Sequence, residues 1–197
     1  MEGKQEMKEV IHKIIQADLY RYGGIKNESQ LSYMTRKELY GYKYTKVMRL
    51  CKFHKDNNHR LRFMWYRLLL QHYSLKYGFQ ISYATEIGEG LYLGHLGSII
   101  VNYEAKIGKN VNIAQGVTIG MTNRGENAGV PNIGNNVWIG ANSVVVGGIN
   151  IGNDVMIAPN TFVNFNVPDH SIVIAGKATI LPRENATDKY INYEVNK

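Results

Sequence analysis

Residues 133–163 read IGNNVWIGANSVVVGGINIGNDVMIAPNTFV, and an aliphatic side chain returns at every sixth position of this stretch. The same kind of residue marks twelve positions in all: Ile87, Leu93, Ile99, Ile107, Ile113, Ile119, Ile133, Ile139, Val145, Ile151, Ile157 and Val163. An α-helix repeats every 3.6 residues and a strand every two, so neither element produces a period of six. We therefore predict a β-solenoid, in which the aliphatic side chains point inward and stack from coil to coil.

Turn-forming residues stand at fixed places between the aliphatic positions. Gly or Ala commonly follows the aliphatic directly, and Gly, Asn or Asp commonly comes three places after it, as at Asn136, Asn142, Asp154 and Asn160. These residues adopt left-handed backbone angles at little steric cost. Each six-residue unit is therefore expected to be a short strand closed by a corner.

With these features the chain resembles the hexapeptide-repeat acyltransferases, whose coils form a left-handed parallel β-helix shaped like a triangular prism. The resemblance implies a mainly β fold, with the β-helix over residues 81–168. Residues 1–80 have helical apolar stripes instead, so an N-terminal α-helical unit is expected there. Residues 169–197 are expected to form a C-terminal extension.

The repeat is interrupted twice, and insertions in a solenoid emerge as loops from one edge. Ile99 and Ile107 are eight residues apart, and Ile119 and Ile133 are fourteen apart. The longer interruption predicts an extruded loop over residues 121–132, polar and rich in glycine. The sequence Gly-His-Leu-Gly at 94–97 comes just before the shorter one. Function is expected at both places.

His95 is the candidate catalytic residue, and we expect it on the outside of its coil. Acyl transfer from a thioester to an alcohol needs a base that accepts the hydroxyl proton, and imidazole titrates near neutral pH. It also needs hydrogen-bond donors for the oxyanion, which backbone N–H groups in a glycine-rich turn supply. Cys51, in the helical unit, is poorly placed to act as a nucleophile.

The resemblance is closest to the serine acetyltransferase branch, which includes capsular and exopolysaccharide O-acetyltransferases. The segment IGEGLYLGHLGSIIVN at 87–102 is similar to the stretch that holds the catalytic histidine of that branch, here His95. The resemblance implies acetyl-CoA as the acyl donor, a homotrimer with active sites between subunits, and no metal. It also implies a cofactor groove along the following residues: Gly120, Gly140, Ala141, Ala158, Pro159 and, for a CoA phosphate, Lys177.

Departures from the serine enzymes concern the acceptor. Those enzymes have an acidic residue before the histidine, where this chain has Gly94, and their orienting aspartate aligns with Gln80. They also have an Arg-His pair before the proline that closes the loop, where this chain has Gly-Val at 129–130. Gln80, Glu104 or a backbone carbonyl remain as partners that orient His95. The candidate substrate-binding residues are Gln80, Gly94, Asn102, Arg124 and Glu126.

Charge is distributed unevenly along the chain. The overall net charge is +7, but residues 1–80 carry +9 and residues 81–197 carry −2. A basic, tyrosine-rich unit attracts anionic glycans, nucleotide sugars or an anionic membrane surface, while nucleic acid is a less favoured partner. The single cysteine fits a reducing compartment, and no run resembles a signal peptide. We expect a cytoplasmic protein with peripheral contact to the inner face of the membrane.

The combined prediction is an acetyl-CoA-dependent O-acetyltransferase that modifies a sugar hydroxyl of a capsular or exopolysaccharide or its precursor. This chain lacks the charged residues that would bind the ammonium and carboxylate of free serine, so a sugar hydroxyl is favoured as the acceptor. Two alternatives stay open. One is a serine O-acetyltransferase of cysteine biosynthesis. The other is a non-catalytic trimeric scaffold or nucleic-acid-binding module that uses the basic residues 1–80.

Overall fold

The N-terminal third of the chain is helical. The computed structural model describes residues 2–32, 39–176 and 182. Its helices are α1 (Glu2–Tyr20), α2 (Tyr40–Asp56) and α3 (Arg60–Tyr77), with a short 3₁₀ helix at Glu28–Gln30. Helix α3 ends at Gly78, whose left-handed φ of 78° lets its N–H donate to the Ser74 carbonyl at 2.9 Å.

The rest of the described chain winds through three parallel sheets. The first contains β1 (Phe79–Ile81), β4 (Ile99–Val101), β7 (Thr118–Gly120), β10 (Val144–Val146) and β13 (Phe162–Val163). The second contains β2 (Glu86–Ile87), β5 (Lys106–Ile107), β8 (Asn132–Ile133) and β11 (Asn150–Ile151). The third contains β3 (Tyr92–Leu93), β6 (Asn112–Ile113), β9 (Trp138–Ile139), β12 (Val155–Ile157) and β14 (Ser171–Val173). The predicted parallel β-helix of hexapeptide repeats with an N-terminal helical unit is confirmed.

The aliphatic positions stack in register, with one correction to the sequence prediction. In the first sheet Ile81 pairs with Val101 and Val101 pairs with Ile119, whereas Ile99 pairs with Phe79. Val101, not Ile99, is therefore the repeat position of its coil, and Ile107 follows it by six residues. The eight-residue interval lies between Leu93 and Val101, so His95 sits inside the first interruption rather than before it.

The ladder extends slightly beyond the predicted repeats at both ends. Strand β1 begins at Phe79, and β14 pairs with β12 through Ile157 and Val173. A parallel bridge between Ile151 and Val167 continues the second sheet. The coils therefore run from Phe79 to Val173.

A buried ion pair joins the helical unit to the first coil. Asp18 of α1 is fully buried, and its Oδ2 accepts a hydrogen bond from Arg49 Nε of α2 at 3.0 Å. Its Oδ1 accepts from the backbone N–H groups of Gly90 and Leu91 at 2.8 and 2.9 Å. Arg49 Nη1 donates to the Ile87 carbonyl at 2.6 Å. Both charges are therefore paired and hydrogen-bonded, which offsets part of their desolvation, and burial still raises the pKa of Asp18 above its usual value.

Candidate functional site

The turn that carries His95 begins one edge of the prism. Four successive turns connect the third sheet to the first along this line, which we call the histidine edge: residues 94–98, 114–117, 140–143 and 158–161. Backbone hydrogen bonds tie each turn to the next: Gly116 N–H to Ser98 O at 2.6 Å, Asn142 N–H to Gln115 O at 3.0 Å, and Asn160 N–H to Ala141 O at 2.8 Å. The edge is therefore a continuous, rigid ladder.

Six of the residues predicted for the site lie on the histidine edge. They are Gly94 and His95 in the first turn, Gly140 and Ala141 in the third, and Ala158 and Pro159 in the fourth. Successive coils of a parallel sheet are about 4.8 Å apart, so the fourth turn lies roughly 14 Å along the edge from His95. Gly140, Ala141 and Ala158 have small side chains, so little side-chain bulk projects from the third and fourth turns of this edge.

His95 is exposed in a turn that lies within the eight-residue interval between the repeat positions Leu93 and Val101. Strand β3 ends at Leu93, which is buried, and the chain then leaves the strand before His95. Gly97 closes the turn with a φ of 139°, and a Cβ there would lie 3.1 Å from Gln115 Cβ. No hydrogen bond joins the His95 ring to another residue within the described ranges 2–32 and 39–176. Its ring nitrogens therefore remain available to a substrate.

The two side chains predicted to orient His95 are engaged or placed elsewhere. Glu104 accepts a hydrogen bond from the Tyr103 hydroxyl at 2.8 Å, which raises the Tyr103 pKa. Gln80 is exposed on β1 and pairs in register with Ile100. Neither hydrogen-bonds His95.

A second edge connects the first sheet to the second and holds the extruded segment. Its turns, which we call the loop edge, are residues 82–85, 102–105, 121–131, 147–149 and 164–166. Thr122 and Gly129 exchange two backbone hydrogen bonds, of 2.9 and 2.8 Å, so the long loop is a hairpin. The part of the hairpin beyond this pair is tied to later coils, because Asn127 Nδ2 donates to Asn164 O at 2.6 Å and Gly148 N–H donates to Asn127 O at 2.9 Å.

The remaining predicted residues lie at the loop edge or outside the described structure. Arg124 and Glu126 are exposed in the hairpin, and Gly120 ends β7 directly before it. Asn102 Oδ1 accepts from the Glu104 N–H at 2.9 Å, so this side chain stabilises its own turn. Lys177 falls outside the described residues.

Within one chain, the first sheet lies between the histidine edge and the loop edge. Asn142 on the histidine edge and Gly147 on the loop edge are five residues apart along the coil that contains β10. At about 3.3 Å for each extended residue this corresponds to roughly 16 Å. Within one chain, Arg124 and Glu126 therefore belong to a different edge of the prism from His95.

The outer rows of the sheets differ in character, which the sequence analysis missed. The residue before each repeat aliphatic points outward. On the second sheet this row is polar: Glu86, Lys106, Asn132 and Asn150. On the first and third sheets it contains the apolar residues Ile100, Val144, Phe162, Trp138, Met156 and Ile172. The same rows also contain Gln80, Thr118, Tyr92 and Asn112, and the histidine edge lies where these two mixed rows meet.

Other candidate chemistry is absent or buried in the described structure. Cys51 is fully buried, and burial raises the pKa of its thiol to about 11, so little thiolate exists at neutral pH. Among the described residues no three His, Cys, Asp or Glu side chains group in a way that would hold a metal ion.

A hollow of about 500 Å³ between α1, α2 and the first coil contains none of the predicted site residues. None of the described helices combines the length and the apolar character needed to cross a bilayer.

Comparison with known proteins identifies the repeat. The model of the bacterial transferase hexapeptide, six repeats, matches residues 131–164. The putative colanic acid biosynthesis acetyltransferase WcaB of Escherichia coli K12 is 38% identical over 105 residues, which cover 53% of this chain and 64% of that protein. A serine acetyltransferase of Staphylococcus epidermidis is 33% identical over 107 residues, which cover 54% of this chain and 50% of that protein.

Solved structures extend the likeness to the helical unit. The Neisseria gonorrhoeae serine acetyltransferase in complex with serine aligns with a TM-score of 0.68 and 26% identity, covering 86% of this chain and 68% of that one. The chain spans only about half the length of the staphylococcal relative. The matched repeat and the parallel coils show that this part of the chain is a hexapeptide-repeat solenoid, and the relatives it is similar to are named as acetyltransferases.

Proposed function

We propose that this protein is an acetyl-CoA-dependent O-acetyltransferase with His95 as its general base. The observation that carries the proposal is the position of His95 at the head of a continuous edge whose lower turns present Gly140, Ala141, Ala158 and Pro159. Small residues allow an extended pantetheine arm to approach the backbone closely. The donor's thioester would then lie beside the imidazole.

The reaction needs no covalent enzyme intermediate. A neutral His95 ring nitrogen accepts the proton of the acceptor hydroxyl as its oxygen attacks the thioester carbonyl. Backbone N–H groups of the glycine-rich turn stabilise the resulting oxyanion. Collapse of the tetrahedral intermediate breaks the C–S bond, and the imidazolium returns its proton to the sulfur. The products are an acetyl ester and CoA.

The active site would be completed by a neighbouring copy in a homotrimer. The exposed apolar side chains of Met156, Phe162 and Ile172 lie on the two sheets that meet at the histidine edge, and exposed apolar surface commonly marks a protein interface. The hairpin with Arg124 and Glu126 lies on the loop edge, across the first sheet from the histidine edge that carries His95. Packing of copies around a threefold axis would bring the loop edge of one subunit to the histidine edge of the next.

A sugar hydroxyl is the favoured acceptor. Free serine carries an ammonium and a carboxylate, and both need charged partners when they leave water. Gly94 and the Gly-Val pair at 129–130 supply none. The similarity to WcaB, which is named for colanic acid biosynthesis, supports a polysaccharide or its precursor.

Serine is the second candidate acceptor, and a specific observation favours it. The likeness to the gonococcal serine acetyltransferase covers the helical unit as well as the coils. Arg124 and Glu126 of a neighbouring subunit offer one cation and one anion, which are the charges that a serine zwitterion requires.

The test is CoA release from acetyl-CoA with L-serine in one series and with sugars, nucleotide sugars and oligosaccharides in another. His95→Ala should lose at least about 100-fold in turnover. His12→Ala, which removes an exposed histidine of α1, is the matched control and should keep full activity. Turnover with a carbohydrate alone supports the proposal, and turnover with serine selects the second candidate. Activity that persists in His95→Ala, or a protein that does not bind acetyl-CoA, would contradict the mechanism.

A further inference from the structure

Helix α3 presents an apolar stripe to solvent. Phe63, Tyr66, Leu70, Tyr73 and Tyr77 form its inner face, which packs on α2 and β1. At 3.6 residues per turn the opposite face gathers a second apolar set within roughly 100° of the circumference. Its members and their exposed fractions are Leu61 84%, Met64 59%, Trp65 59%, Leu68 71% and Leu75 79%.

Cations flank this stripe on both sides. Arg62 and Lys76 lie along one border of the exposed apolar face, and Arg60 and Arg67 lie along the other. The sequence of α3 contains no Asp or Glu, and none of these four cations forms an ion pair within the described residues. An apolar stripe with cationic borders and an interfacial tryptophan is the pattern of a helix that lies in a membrane surface.

We infer that the exposed face of α3 binds an anionic lipid surface. The charge favours this occupant over α3 of a second copy of the chain. Two α3 faces in a symmetric contact would bring eight like charges together with no acidic residue on either helix to offset them. Anionic headgroups neutralise the same cations, while the bilayer interface covers Trp65 and Leu68.

Membrane binding at α3 is separable from acetyl transfer at His95, because vesicle binding needs neither acetyl-CoA nor an acceptor. The experiment is cosedimentation of the full chain with phosphatidylcholine vesicles that contain about one third phosphatidylglycerol, compared with pure phosphatidylcholine. Binding is expected only to the anionic vesicles, and it should weaken as salt is raised. In a Trp138→Phe background the emission of Trp65 should shift to shorter wavelength on binding.

Two matched pairs of variants locate the surface. Leu68→Gln should reduce binding, whereas Ile172→Gln, at a side chain of equal exposure (70%) on the last coil, should not. Arg62→Gln with Lys76→Gln should weaken binding roughly 25-fold, at about fivefold per charge. Lys106→Gln with Lys109→Gln removes the same charge from the coils and should have little effect. Thermal melting checks that each variant is folded.

Three outcomes would overturn the inference. The first is a wild-type protein that does not bind anionic vesicles. The second is equal loss of binding in the Leu68 and Ile172 variants. The third is a smaller oligomer for Leu68→Gln than for wild type in sedimentation without lipid, since a second copy would then cover the stripe.

Discussion

The Gly97 N–H donates to the Tyr77 carbonyl at 3.2 Å, which attaches the turn that carries His95 to the last residue of α3. The Ile99 N–H adds a bond to the Gly78 carbonyl at 3.0 Å. On the other side, the Gly116 N–H holds Ser98. The histidine turn is therefore held between the helical unit and the next coil, although the interval from Leu93 to Val101 that contains it is two residues longer than the usual six.

Gly97 should be required for the position of His95. An added Cβ meets Gln115 Cβ at 3.1 Å, at a φ of 139° that other residues rarely adopt. We expect Gly97→Ala to lower the turnover number at least about tenfold while costing about 1–3 kcal/mol of stability. Gly23→Ala is the control, because Gly23 also has a positive φ, of 86°, but has no neighbour within 4 Å and lies outside the proposed site. Equal losses of activity in the two variants would contradict a positioning role.

The hairpin should act on the acceptor rather than on acetyl-CoA. Arg124→Ala and Glu126→Ala remove exposed charges at the loop edge, which is separate from the histidine edge that carries Ala141 and Pro159. Each should raise the acceptor KM severalfold and leave acetyl-CoA binding, measured by calorimetry, unchanged. Lys109→Ala serves as the control, because Lys109 is an exposed lysine of the turn that connects the second sheet to the third. If these variants lost only their affinity for acetyl-CoA, the hairpin would bind the donor and not the acceptor.

The Asp18–Arg49 pair should dominate the attachment of the helical unit. Arg49→Met leaves the Asp18 carboxylate fully buried without its cation, which costs about 3–5 kcal/mol. Asp18→Asn combined with Arg49→Met should recover part of this loss. Lys52→Met breaks an exposed pair with Asp56, at 3.7 Å, and should cost less than about 1 kcal/mol. Urea denaturation measures all three, and similar costs for Arg49 and Lys52 would refute the assignment.

Mild acid should weaken the helical unit through His54. Burial, followed by the nearby His59 and Arg62, lowers the pKa of His54 below its usual 6.5. Since the unfolded chain then takes up the proton first, the free energy of unfolding should fall as pH drops below about 6.5, until the folded pKa is reached. His54 Nδ1 lies 3.0 Å from His59 Nδ1, and only one of these atoms can carry the hydrogen between them.

The measurement compares urea denaturation at pH 7.5 and 5.5. His54→Phe, which can keep the stacking on Tyr66, should show a smaller loss over this interval than wild type. His72→Gln, at an exposed position of α3, should behave as wild type does. Identical pH dependence in wild type and His54→Phe would remove His54 as the cause.

Local periodicity was sufficient to predict the coils. Ile133, Ile139, Val145, Ile151 and Ile157 are all buried in the stacked core, because the inward position and the turn are both encoded within six residues. The first interruption was placed wrongly, since Ile99 and Val101 are both aliphatic and both buried. Only the pairing of Val101 with Ile81 and Ile119 distinguishes them, and that pairing depends on residues about twenty positions away.

The sequence by itself determined the solenoid, the extruded loop and the choice of His95 as a residue of interest. Tertiary structure alone decided that His95 shares an edge with Ala141 and Pro159 while Arg124 lies on another edge. It also decided that Leu61 and Leu68 face solvent, although the periodicity of α3 contains two apolar stripes. The reason is physical: a repeat fixes which side chains point inward, but stacking between distant coils and helices fixes which outward residues meet and which remain uncovered.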